Sequence, residues 1–134
     1  MTRIQEIEGI GPVYEGKLAQ VGIDTVEGLL ERGASGKGRK ALVEATGISA
    51  KLILKWVNRA DLARVKGVGE EYADLLELAG VDTVPELAQR NPENLHQKMI
   101  EINEARNVVR RPPSLAAVQG WVANAKELDR VVTY

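Results

Sequence analysis

One histidine and no cysteine restrict the chemistry open to this 134-residue chain. His96 stands alone, so neither a metal cluster nor a Ser-His-Asp triad can be assembled from it. Beside the inward-facing Leu95 it is expected to be solvated. Catalysis would have to run on carboxylates, and none are paired or clustered in a suggestive way. The chain reads as a non-enzyme with no cofactor, no metal site and no small-molecule substrate. Gly33-Ala-Ser-Gly-Lys-Gly-Arg-Lys40 imitates a phosphate-cradling nucleotide loop. It has Arg39 where that loop needs lysine, no Ser or Thr follows, and no strand precedes it, so it is not an ATP site. Its basic residues Lys37, Arg39 and Lys40 remain candidates for touching phosphate or an acidic partner at a helix start. Gly9-Ile10-Gly11 and Gly67-Val68-Gly69 are the other chemical feature: turns that leave backbone amides at a helix N-terminus suit phosphate.

Charge is distributed unevenly. The net −1 conceals a block at residues 36–66 with eight basic and two acidic side chains, and a block at 67–105 with two basic and nine acidic. Lys51, Lys55 and Arg59 recur every four residues and are expected to line one helix face as a basic ridge. A basic patch for a polyanion and a pair of solvated, mutually attracting faces are both open readings. Lys17, about a turn into the helix after Gly11, adds a cation to the first hairpin, while Glu8 opposes it. The second hairpin is followed by Glu70, Glu71 and Asp74, which occupy the place of an anion, so it is expected to be structural. Arg110 and Arg111, held extended by Pro112 and Pro113, form another exposed cationic spot.

These residues sit on a repeat. Shifted by 58, Ile7–Leu30 falls on Val65–Ala88 with nine identities in 24 positions and three Ile/Val exchanges. A fixed period implies one unit used twice. In each copy Ile4 and Ile7, or Leu62 and Val65, suit the inner face of a short helix that Gly9 or Gly67 stops. Helices are expected over Val13–Val21 and Glu71–Ala79, ended by Gly22 and Gly80, with Thr25 and Thr83 capping the next. Ser35 caps a helix that Gly47 ends, and Ser49 caps another bearing Trp56. Asn91-Pro92 opens a long helix with Leu95, Met99 and Ile102 inward. Arg106–Pro113 is an extended linker, and Ser114 caps a last helix bearing Trp121. The tryptophans match at a shift of 65, so about seven residues are inserted before the second. Both are expected in the core rather than as base-stacking platforms, with Tyr14 and Tyr72 packed at equivalent positions.

The repeated Gly-hydrophobic-Gly hairpin between matched helices resembles the helix-hairpin-helix superfamily. It is more similar still to a bacterial family of unknown function with an IEGIG-like first copy and a KGVG-like second. That resemblance runs over roughly Ile4 to Leu128. It implies an all-α fold of two tandem helix-hairpin-helix (SAM-like) units with four to five short helices each, packed as one pseudo-repeat domain. The units are expected at residues 1–60 and 61–130, with 131–134 as a tail. It also implies sequence-independent binding of a nucleic-acid backbone such as DNA through the hairpin; the residues expected to carry it here are Gly9, Ile10, Gly11 and Lys17, joined on grounds of charge by Lys37, Arg39, Lys40, Lys51, Lys55 and Arg59. The alternative is a protein-interaction or self-associating scaffold with purely structural hairpins; a nucleic-acid enzyme is disfavoured. The chain shows neither a signal-peptide core nor a membrane-length apolar run, so a cytoplasmic protein is expected.

Overall fold

The computed structural model describes residues 2–134. Among them all regular structure is helical, apart from an isolated bridge between Arg3 and Thr25. The chain divides into two compact units, one of residues 1–61 with 131–134 and one of residues 62–130. Each has its own apolar core.

The first unit starts with a 3-10 turn, Ile4–Glu6, shorter than the helix expected there, which still buries Ile4 and Ile7. The chain then turns through Gly9, which adopts φ +94°, into α1 (Pro12–Ala19). α2 (Val26–Gly33) begins at Thr25, whose hydroxyl accepts the Gly28 N–H at 3.0 Å. α3 (Gly36–Thr46) is capped by Ser35 and ends at the left-handed Gly47. α4 (Ala50–Leu62) carries Ile53, Trp56, Val57 and Ala60 into the core, four apolar residues at helical spacing. The look-alike nucleotide loop is explained by packing here. A Cβ on Gly33 would lie 2.4 Å from Val57 Cγ2, and one on Gly38 would lie 2.2 Å from the Arg32 carbonyl oxygen. A side chain at either glycine would collide with its neighbours, so close packing of α2 with α3 and α4 accounts for both.

Residues 131–134, expected as a tail, belong to this first unit. Val132 is buried in its core, and the Thr133 N–H donates to the Ala34 carbonyl at 2.8 Å. The Tyr134 hydroxyl meets Asn58 Oδ1 at 2.7 Å.

The second unit repeats the first in backbone detail. α5 (Glu70–Leu78) follows Gly67, at φ +91°, and α6 (Val84–Ala88) is capped by Thr83. The turn bonds coincide at the shift of 58. Ile10 N–H to Ile7 O is 3.2 Å and Val68 N–H to Val65 O is 3.1 Å; Ile23 to Leu18 and Val81 to Leu76 are both 2.9 Å. Arg32 and Arg90 also correspond: each guanidinium donates to a carbonyl at the end of the preceding hairpin helix, Val21 and Ala79.

The copies part company after α6. α7 (Pro92–Arg106) is four residues longer than α3, the following connection is eight residues against three, and two residues are lost ahead of α7. That is the net insertion of seven. α8 (Leu115–Glu127) then restores the correspondence, with Trp121, Val122 and Ala125 in the places of Trp56, Val57 and Ala60.

Candidate functional site

Each hairpin glycine rests on a tryptophan. A Cβ on Gly9 would lie 3.4 Å from Trp56 Nε1, and one on Gly67 would lie 3.1 Å from Trp121 Nε1. Tyr14 packs edge-on against Trp56 with ring centroids 5.1 Å apart, and Tyr72 packs tilted on Trp121 at 5.2 Å. A buried tryptophan packed by a partly buried tyrosine therefore supports each turn. Ile10 and Val68 anchor the turns in the cores. Gly11 and Gly69 lie over open space, with nothing within 4 Å of where a Cβ would stand. Neither helix start carries a side-chain cap: Gly11 and Gly69 are the N-cap residues of α1 and α5.

The ten residues singled out from sequence differ in exposure, and Ile10 and Arg59 among them are buried. Gly9 and Gly11 are exposed at the first hairpin, while Ile10 is buried beneath it. Lys17 lies along α1 with its ammonium 5.9 Å from the Tyr14 ring centroid. Lys37 and Lys40 are exposed on the first turns of α3, and Lys51 and Lys55 are exposed on α4.

Arg39 and Arg59 have other work. Arg39 Nη1 donates to the carbonyls of Gly33 and Ala34, its Nη2 donates to Thr133 O at 2.6 Å, and its guanidinium lies 5.5 Å from the Tyr134 ring centroid. It fastens the 131–134 segment to the first unit. Arg59 is 8% exposed and meets the Glu8 carboxylate at 3.9 Å, so the expected ridge of three loses its last member. The equivalent of Arg59 in the second unit is Asn124, whose Oδ1 accepts the Lys66 N–H at 2.9 Å. Glu8 and Lys66 each precede the hairpin glycine. In both units, then, the residue three beyond the tryptophan holds the residue just before the turn.

Around the second hairpin the structure assembles residues that the sequence scattered. The connection after α7 returns to it, and a cleft of about 430 Å³ is lined by Gly67, Gly69, Glu70, Glu71, Tyr72, Arg110 and Arg111. The arginines expected as a separate cationic spot thus stand beside the acidic start of α5. No local pattern signals this, because 39 residues separate Tyr72 from the Arg111 carbonyl it bonds at 3.1 Å. His96, expected to be solvated, is half-buried instead, with Nε2 3.0 Å from the Pro113 carbonyl.

Fold and site together define a helical protein of two matching halves, each presenting a glycine turn propped on a tryptophan. The chain belongs to the family described as a domain of unknown function (DUF4332), which matches residues 8–128. No solved structure matches the chain. Among the described residues no helix is long and apolar enough to cross a membrane.

Proposed function

We propose that the two units are tandem helix-hairpin-helix elements, and that the first binds a nucleic-acid backbone without reading its sequence and without catalysis. The paired backbone conformations at Gly9 and Gly67, and the identical register of turn bonds, support the first part. The observation that carries the second is the bare first hairpin: Gly11 opens α1 with no side-chain cap and no neighbour where a side chain would stand. Amides at such a start are suited to a phosphate oxygen. Lys17 flanks the hairpin, and Lys37, Lys40, Lys51 and Lys55 supply long-range attraction from the same unit. Arg39 and Arg59 are left out of this set because their guanidiniums serve the unit itself.

Titration with duplex and single-stranded DNA at two salt concentrations tests the reading. With about three phosphates engaged, log K against log salt should slope by roughly −0.9 per phosphate on duplex, and Kd near physiological salt should be on the order of 10⁻⁴ to 10⁻⁶ M. Reversing Lys37, Lys40 and Lys51 to Glu should abolish binding. An absence of binding even at low salt overturns the proposal. The use of Arg39 and Arg59 inside the unit favours, as second reading, a scaffold docking proteins or copies of itself; it gains ground if the same reversals instead disrupt self-association.

A further inference from the structure

The cleft beside the second hairpin lies in the other unit from the proposed backbone contact, and adds Glu70, Glu71, Arg110 and Arg111 to the shared glycine turn. Its wall is the eight-residue connection by which the second unit departs from the first. Ordering such a stretch costs about 1–2 kcal/mol per residue in backbone freedom, so a held conformation requires compensating contacts. Three are made at side chains. Asn103 Oδ1 accepts the Val109 N–H at 2.8 Å, the Tyr72 hydroxyl donates to Arg111 O at 3.1 Å, and His96 Nε2 lies 3.0 Å from Pro113 O. Val109 and Pro113 are buried. What this anchored segment leaves in solvent at the cleft is a pair of adjacent arginines.

Among the described residues neither guanidinium has a hydrogen-bonding or ionic partner, although Glu70 and Glu71 line the same cleft. Two guanidinium forks side by side match the oxygens of a phosphate group. The carboxylates would repel a simple polyanion. They would accept hydrogen bonds from the exocyclic amine of a base, as Glu does from the cytosine amino group. A volume of about 430 Å³ is within the range of small-molecule sites.

We infer that this cleft binds a nucleoside phosphate carrying an amino-bearing base, with Arg110 and Arg111 on the phosphate and Glu70 and Glu71 on the base. The unit is either a free nucleotide or part of a single strand.

The test is amide chemical-shift titration of the full chain with cytidine monophosphate, uridine monophosphate, inorganic phosphate and a short oligo-dC. Cytidine monophosphate should shift Gly67, Gly69, Tyr72 and the Arg110–Arg111 amides, and bind more tightly than uridine monophosphate or phosphate. Arg110→Ala with Arg111→Ala should weaken it by at least about tenfold, one charge-assisted contact's worth. Both side chains are exposed, so an unchanged spectrum elsewhere reports an intact fold. Glu71→Gln should narrow the preference for cytidine over uridine. Tighter binding of oligo-dC, read from the shifts at Gly67, Gly69 and Arg110–Arg111, assigns the site to a strand and equal binding there to a free nucleotide; both uphold it. No shift at millimolar cytidine monophosphate, or a shift indifferent to the arginine substitutions, overturns it. Because first-hairpin lysines are untouched, this result is separable from that of the DNA titration.

Discussion

A methyl group added at Gly9 or Gly67 meets two obstacles, the left-handed backbone and the tryptophan below. The first costs about 1–2 kcal/mol for a side chain with a Cβ. Gly67→Ala should lose more than Gly9→Ala, because its Cβ would come within 3.1 Å of the indole nitrogen rather than 3.4 Å. Gly11→Ala is the informative contrast. That residue has extended backbone at φ −86°, ψ −175° and open space around it, so urea denaturation should move by less than about 0.5 kcal/mol. If phosphate approaches the backbone there, DNA affinity should fall all the same. Arg59→Ala and Lys51→Ala make a second contrast on one helix. Arg59 is almost wholly buried, so truncating it removes packed side chain and should destabilise the first unit, whereas Lys51, exposed on α4, should be nearly neutral. Equal effects would return Arg59 to the basic ridge.

Between elements, the connections carry the specificity. Asn103→Ala removes the acceptor for the buried Val109 N–H, which should cost about 1–3 kcal/mol and loosen the connection that holds Arg110 and Arg111. Hydrogen exchange at residues 107–113 would report it, and unchanged protection there would refute the anchoring role. In the first unit Glu27, in the first turn of α2, accepts the Thr2 N–H at 3.0 and 3.1 Å through its two oxygens. Bonds from its own backbone N–H and from Thr2 hold its carboxyl below the ordinary value of 4.5. A depressed folded-state pKa contributes stability that is present above the unfolded value and lost as pH falls through the folded one. Glu27→Gln should therefore be less stable than wild type near neutral pH, with the gap closing in acid. Exposure to solvent limits the gap to a few tenths of a kcal/mol. A gap that widens in acid would contradict the assignment.

For the molecule as a whole, connectivity and compactness disagree in a useful way. The second unit is continuous, at residues 62–130, while the first is completed by residues that follow it. Val132 alone, buried in the first core, stands for about 1.5–3 kcal/mol. Each unit holds one tryptophan, so Trp121→Phe and Trp56→Phe variants report the first and second units separately. Deleting residues 131–134 should lower the urea midpoint reported by Trp56 more than that reported by Trp121. Equal shifts would mean that the segment stabilises both units alike.

The sequence by itself determined whatever depends on neighbours along the chain. The glycine turns, the Thr25, Thr83, Ser35, Asn91 and Ser114 caps and the inward Leu95 and Met99 all follow from local conformational preference and helical period. They repeat wherever the residues repeat. It also placed both tryptophans in the core, since each lies within an apolar stripe. Tertiary structure alone decided which charges are spent. Arg39 reads as a cation at a helix start and Arg59 as the last member of a surface ridge, but a carbonyl of Thr133, 94 residues on from Arg39, and the carboxylate of Glu8 claim them. Arg110 and Arg111 lie far along the chain from the second hairpin, yet they line its cleft. Spacing along a helix fixes which face a side chain leaves from. What meets that face is set by how the rest of the chain packs, because a charge near a surface is committed by partners brought to it from any distance in sequence.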